Sequence, residues 1–297
     1  MARSDETQDE PRGRVIALDD PAVARILLSR PVPAGGPWDS LPKSPIGDYA
    51  AAGRSLIDSV YDALWSAGGP GWAVVDTGLA SHPDVDVLTA FWNLWATLFN
   101  PVQQYRSGQL LHTVEVIKES RDLASHYSHS NKSGDFHTDG TLLDETPEVV
   151  MLGGLQTADT GGETVLVDGF DLAARFRRSD SDAVLAARHP FHSGIPADPV
   201  VHFPVIAQES GRPVIRYMRR YIELGYRHLG TDPSPALVEA MDDLDAGVED
   251  HEIQEAILVK RGAMLVWNNH RCLHGRRGFT EKNRRRRLLR AYGVRRQ

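Results

Sequence analysis

Gly134-Asp135-Phe136-His137-Thr138-Asp139-Gly140 is the stretch around which the chain is organised. Side chains alternate along an extended strand with period two, so His137 and Asp139 fall on one side and Phe136 and Thr138 on the other. An imidazole and a carboxylate placed that way can hold one metal ion from one face. The stretch follows a polar segment, Tyr127 to Gly134, and opens the β-rich half of the chain, so it reads as the open end of a strand in a barrel-like sheet.

A His-x-Asp recurs by chance in ordinary proteins, and its meaning depends on a third ligand. One distant histidine would complete a two-His-one-carboxylate facial triad, the geometry of non-haem Fe(II) oxygenases. Two histidines offer themselves in Leu265 to Gly278, LVWNNHRCLHGRRG, where a strand ends at Trp267 and His270 and His274 follow before Gly275. Either can be the remote ligand on this evidence. His126, His129, His189, His192 and His202 carry no partner pattern.

Two more features concern an anion. Within Arg286-Arg287-Leu288-Leu289-Arg290-Ala291-Tyr292, Arg286, Leu288 and Arg290 share one face of a strand. An arginine turned into a barrel is costly unless it meets an anion. A dicarboxylate suits the guanidinium fork. Gly161-Gly162-Glu163-Thr164 reads as a glycine turn leading into a strand, with Thr164 able to offer its hydroxyl to a carboxylate oxygen.

Around these features the pattern is α+β. Asp48 to Ala67 and Val85 to Phe99 have helical spacing, the second with an aromatic stripe of Phe91, Trp92 and Trp95 suited to a core. Pro31 to Gly47 reads as an extended connection. Strands are expected at Trp72 to Val75, His112 to Lys118, Glu148 to Gln156, Glu163 to Val167, Val200 to Ile206, Pro213 to Met218, Ile253 to Val259, Ala263 to Trp267 and Arg286 to Val294. Helix is expected at Asp171 to Arg188 and Pro233 to Asp250. Two helices followed by many short strands point to a closed or nearly closed jelly roll with flanking helices and a helical insertion within about residues 189–250. Gln103 to Asp135 and His189 to Asp250 are the candidate lids. The first carries Tyr105, Arg106, His126, Tyr127, Ser128 and His129. The second carries Arg216, Arg219, Arg220 and Tyr221.

The bulk numbers set limits. The chain has 297 residues, 41% hydrophobic and 25% charged, enough for a sizeable core. A net charge of -7 argues against nucleic acid as a partner, although arginines crowd the C-terminus. The one cysteine, Cys272, excludes an internal disulfide and a cysteine-rich zinc site, and fits a reducing, cytoplasmic location. Residues 1–14 are polar, read as a disordered lead-in to a single domain over 15–297, and are no secretory signal. No run is long and apolar enough to span a bilayer.

Taken in this order, the four features resemble the Fe(II)/2-oxoglutarate-dependent dioxygenases of the taurine dioxygenase (TauD/TfdA) superfamily, over roughly Gly134 to Val294. Trp267-Asn268-Asn269-His270-Arg271-Cys272-Leu273-His274 is similar to the family's tryptophan-led loop ending in the distal histidine, which selects His274. Gly275-Arg276-Arg277-Gly278-Phe279 looks like the clavaminate synthase and amino-acid hydroxylase branch. The resemblance implies a double-stranded β-helix core and Fe(II) held by His137, Asp139 and His274. It also implies 2-oxoglutarate and O2 as co-substrates, with Thr164 and Arg286 on the far carboxylate of 2-oxoglutarate. Arg290 matches a second arginine that contacts the co-substrate or an acidic group of the substrate. With a carboxylate at Asp139 the implied reaction is hydroxylation, not halogenation. The implied substrate is a small polar molecule, amino-acid-like or an intermediate of specialised metabolism such as antibiotic biosynthesis. Two alternatives are the same chemistry on a carrier- or protein-bound residue, and a non-catalytic cupin-like metal sensor. An inward-facing Arg286 speaks against the sensor.

Overall fold

The computed structural model describes residues 14–17, 52–79, 87–104, 108–116, 131–176, 181–209, 212–283 and 285–296. Residues 1–13 of the expected lead-in, the Pro31 to Gly47 connection, and Tyr105, Arg106, His126, Tyr127, Ser128 and His129 of the first candidate lid lie outside these residues, whereas Arg14 already belongs to a strand. The described elements begin with β1 (Arg14–Ala17), α1 (Ala52–Trp65), β2 (Trp72–Asp76), α2 (Val87–Leu98), β3 (Phe99–Val102), β4 (Leu111–Glu115), β5 (Gly134–His137) and β6 (Val149–Gln156). Next come β7 (Thr160–Gly161), β8 (Thr164–Asp168), α3 (Gly169–Phe176), α4 (Ser181–Ala186), β9 (Arg188–Phe191), β10 (Val201–Pro204), β11 (Ile206–Glu209) and β12 (Arg212–Ile215). The chain closes with α5 (Arg219–His228), α6 (Pro235–Val248), β13 (Gln254–Ile257), β14 (Ala263–Asn268), β15 (Cys272–Arg276), β16 (Phe279–Thr280) and β17 (Arg287–Arg295).

Two sheets face each other. The larger has seven strands in the order β1-β2-β14-β6-β17-β3, with β4 also paired to β17; the smaller runs β13-β8-β15-β5. Alternation along the strands explains the layering. In β6, Val150 and Leu152 enter the core between the sheets, while Val149 and Met151 enter the core beneath α1 and α2. Both faces are buried, so the strand reads as one continuous apolar run. A Cβ at Gly153 would stand 2.8 Å from the Phe91 ring, which is how closely α2 lies on the sheet. The aromatic stripe of α2 is core as expected, and the helix is buried nearly all round because it sits between the sheet and α1.

The inter-sheet core holds Trp72, Val150, Leu152, Leu166, Leu265, Trp267, Cys272, Leu288 and Tyr292. Each large apolar side chain there contributes about 1.5–3 kcal/mol by leaving water. The expected α+β jelly roll is thus present, with helices outside the large sheet and the insertion outside the small one.

The insertion carries the antiparallel pairs β9–β10 and β11–β12 ahead of α5 and α6, in line with the strands expected at Val200 to Ile206 and Pro213 to Met218. Two expectations need correction. α5 was not expected at all, since Gly225 interrupts a polar sequence. That glycine is needed, because a Cβ there would lie 2.4 Å from the Pro190 carbonyl oxygen of β9. Finally, Cys272 to Arg276 is a strand and not part of a loop. It is the centre of the small sheet, pairing with both β8 and β5.

Candidate metal centre

β5 and β15 are antiparallel, and their register sets His137 directly opposite His274. The two rings lie 4.2 Å apart between centroids. The expectation that His137 and Asp139 share a strand face is corrected in its route. β5 ends at His137, and Asp139 and Gly140 form a turn, with Gly140 at φ 74. The backbone is taken out of the ladder by Thr138, whose N–H donates to the Tyr217 carbonyl at 2.9 Å, and by Asn269. The side chains converge all the same. Asp139 Oδ1 is 3.9 Å from His137 Nε2 and Asp139 Oδ2 is 3.8 Å from His274 Nε2. One ligand atom from each of His137, Asp139 and His274 lies within 4.8 Å of the others.

His270, the other candidate, is elsewhere: its Nε2 is 2.9 Å from the Thr146 hydroxyl. Geometry therefore agrees with the choice of His274, the residue that alternation along β15 turns into the inter-sheet space.

The donors fit a divalent transition metal. Asp139 Oδ2 is buried and has no hydrogen-bond partner. Such an oxygen is costly to leave bare. His137 Nδ1 lies 2.8 Å from the Asp135 carbonyl, so Nδ1 carries the proton and Nε2 presents its lone pair to the cluster. Burial raises the Asp139 pKa, but Arg290, His274 and His137 outweigh it and hold the carboxyl below its usual range. Burial pushes His274 down to about 3, with the neighbouring His137 adding to it, so its imidazole is neutral and able to ligate at ordinary pH. Two imidazoles and one carboxylate on one face match the facial triad of non-haem iron oxygenases.

The anion features assemble beside it. Thr164 on β8 is buried, and its register partner on β15 is Arg276, two residues along from His274. Two residues of strand span about 7 Å, on the order of a five-carbon dicarboxylate. Arg286 lies just before β17 and is 5% exposed, whereas Arg285 and Arg287 face solvent and Arg287 pairs with Glu115 at 3.1 Å. Among the described arginines of the run, Arg286 is the one turned inward. Arg286 Nε donates to the Gly162 carbonyl at 3.1 Å. Gly162 has φ +84, and a Cβ there would meet Arg286 Cδ at 2.9 Å, so the glycine turn makes room for this arginine. Among the described residues, neither Nη of Arg286 has a protein acceptor. The Cζ atoms of Arg276 and Arg286 stand 5.3 and 5.4 Å from the centre of the Phe279 ring. Burial, together with the Arg276 cation, pushes Arg286 down to about 9 against Glu281 and Glu163. A guanidinium stays protonated in proteins, so the shift reports a cation short of compensation.

Arg290 stands beside the metal cluster, with Nη1 3.4 Å from Asp139 Oδ1. The candidate lid residues of the insertion are engaged in structure: Arg216 covers the Phe203 ring and donates to the carbonyls of Thr141, Leu143 and Asp144. Arg219 is tied to Glu223, Asp242 and Asp245.

Sequence reading missed Gln104, Asn269, Arg276 and Tyr292 at this site. Tyr292 was visible in principle, because it shares the inner parity of Leu288 and Arg290. Asn269 carried no local signal. Its side chain accepts from the Asp139 N–H at 2.8 Å and donates to the carbonyls of Asp139 and Pro147 at 3.0 and 2.9 Å. Asn269→Ala leaves three buried backbone groups unpaired and costs about 3 kcal/mol. The expected result is a melting temperature lower by roughly 5–10 °C, read by calorimetry.

Comparison with known proteins follows the same line. Residues 78–292 match the family model "Taurine catabolism dioxygenase TauD, TfdA family". The chain belongs to this family. It is therefore a dioxygenase. It is 30% identical over 238 residues to the uridine-5'-phosphate dioxygenase of Amycolatopsis sp, covering 74% of this chain and 84% of that one. The fold is similar to asparagine oxygenase in complex with Fe(II), 2S,3S-3-hydroxyasparagine and succinate, with TM-score 0.72 and 17% identity over 94% of this chain and 93% of that one. It is also similar to the non-heme iron oxygenase OrfP in complex with Fe and alpha-ketoglutaric acid, with TM-score 0.66 and 17% identity over 95% and 94%. Among the described residues, no helix is long and apolar enough to cross a membrane.

Proposed function

We propose that His137, Asp139 and His274 hold Fe(II) in a 2-oxoglutarate-dependent oxygenase that hydroxylates a C–H bond of a small polar molecule. The observation that carries this reading is Asp139 Oδ2, a buried carboxylate oxygen without a partner that faces His274 Nε2. When bound, the iron couples O2 to the oxidative decarboxylation of 2-oxoglutarate, yielding succinate, CO2 and a hydroxylated product. The protein supplies position and a dry cavity. His137 and His274 present nitrogen donors from facing strands. Arg286 takes the far carboxylate of 2-oxoglutarate through its two free Nη groups, and Thr164 donates its hydroxyl to the same group. Trp267, 4.8 Å from the His274 ring, and Leu166 exclude water beside it.

Two substrate classes suit this reading: a nucleotide, as the name of the sequence relative states for that protein, and an amino acid, as the ligand of asparagine oxygenase suggests. Residues 15–297 act as one domain in this reading, since β8 and β15 share a core with α6 of the insertion. The cytoplasm suits a chain whose single cysteine is buried and reduced.

The test is spectroscopic and then catalytic. Anaerobic addition of Fe(II) and 2-oxoglutarate is expected to give the weak visible charge-transfer band of the chelate. Amino acids and nucleoside monophosphates are then screened in air for succinate release above the substrate-free rate. A protein that binds iron yet gives no band with 2-oxoglutarate contradicts the reading.

A further inference from the structure

Gln104 is a buried amide whose side-chain hydrogen bonds, among the described residues, all go to Arg290. It is 4% exposed, follows β3, and donates its backbone N–H to the Gln109 carbonyl at 2.8 Å. Gln104 Oε1 accepts from Arg290 Nη2 at 3.0 Å and from Nε at 3.3 Å, and Gln104 Nε2 donates to the Arg290 carbonyl at 2.9 Å. The amide therefore grips both ends of Arg290. What remains of the guanidinium, Nη1, is aimed at Asp139 Oδ1, 3.4 Å away. The two oxygens of Asp139 are thereby made different. Oδ1 faces a cation, while Oδ2 is bare and faces His274 Nε2 at 3.8 Å.

We propose that Gln104 is a positioning residue of the metal centre. By clamping Arg290 it keeps the guanidinium on Asp139 Oδ1 and leaves Oδ2 as the one oxygen that binds metal. The inference rests on the reading of His137, Asp139 and His274 as metal ligands. Its consequence is chemical. A carboxylate with both oxygens free can close on a metal in bidentate fashion and take a position that the co-substrate needs. An arginine on one oxygen prevents this, provided the arginine itself is held. Without Gln104 the long side chain keeps the Tyr292 ring, whose centre is 5.0 Å from its Cζ, and is free to swing toward an incoming anion. With Gln104 in place Arg290 is committed to Asp139, and the substrate needs no acidic group at that point.

The test uses Gln104→Leu and the near-isosteric Gln104→Glu, each alone and combined with Arg290→Gln. Mn(II) is titrated into the metal-free full-length chain and free Mn(II) is read by electron paramagnetic resonance, with no turnover involved. Gln104→Leu is expected to weaken Mn(II) binding about tenfold, the range for losing an outer-shell partner. Gln104→Glu is expected to weaken it likewise by drawing Arg290 into a new ion pair. In the Arg290→Gln background either change adds less than about twofold, because Gln104 acts through Arg290. A structural role alone gives losses that add in the double variants, and that result overturns the proposal. So does parent-like affinity in both single variants. A parent that binds no Mn(II) overturns the triad reading together with this one, which separates the two failures.

Discussion

His274→Ala abolishes metal-dependent turnover and weakens Mn(II) or Fe(II) binding by more than about 100-fold, the upper cost of losing even an outer-shell partner. The reason lies in the register. His274 is the one residue of β15 that faces both His137 and Asp139, at 4.2 Å between rings and 3.8 Å between Nε2 and Oδ2. Its removal leaves two donors on β5 and its turn, which no longer enclose an ion from three directions. His270 offers no substitute, because its ring is turned to Thr146. Isothermal titration of metal into the anaerobic protein measures the loss. The melting temperature of the metal-free variant controls for folding. His270→Ala is the comparison, with metal affinity expected within about twofold of the parent. Parent-like affinity in His274→Ala sinks the assignment.

Arg286→Gln raises the KM for 2-oxoglutarate about 100-fold and leaves kcat at saturation within a few-fold. Truncating one partner of a buried charge pair costs about 2–5 kcal/mol, and 1.4 kcal/mol is tenfold. Arg286 has Nε on the Gly162 carbonyl and both Nη groups available, so the lost contact belongs to the ligand. A second readout tells binding from misfolding. The parent is expected to prefer 2-oxoglutarate strongly over 2-oxopentanoate, which has the same chain length and lacks the far carboxylate. In Arg286→Gln that preference collapses, because only the dicarboxylate loses a partner. Arg287→Gln, at the exposed neighbour that pairs with Glu115, keeps the parent preference. If Arg287→Gln changes the preference and Arg286→Gln does not, the inward arginine has been misassigned.

The His-x-Asp, the glycine turn before Thr164 and the inner parity of Arg286 and Arg290 were legible because they are local. Each depends on spacing within a few residues, and side-chain alternation is a local property of the backbone. The two-sided burial of β6 was legible for the same reason. β15 was hidden. Its sequence, CLHGR, contains a histidine, a glycine and an arginine on one short segment, and nothing local shows that it lies between β8 and β5. Asn269 and Gln104 were hidden more deeply. Asn269 bonds Asp139, 130 residues away in sequence, and Gln104 bonds Arg290, 186 residues away. Amide side chains have no periodicity that marks such partners.

From residue types alone, the chain determined a metal-binding chemistry, an anion to be met by an inward arginine, and an α+β jelly roll to carry both. Tertiary structure decided the rest. It set His274, and not His270, beside Asp139 by cross-strand register, turned Asp139 into place through a bend where an extended strand was expected, and buried Arg286 while Arg285 and Arg287 face solvent. It also brought Gln104 onto Arg290 and Arg290 beside Asp139. The physical reason is the reach of the interactions: patterning is set by neighbours in sequence, whereas ligand geometry and hydrogen-bond satisfaction are set by which strands the fold brings side by side.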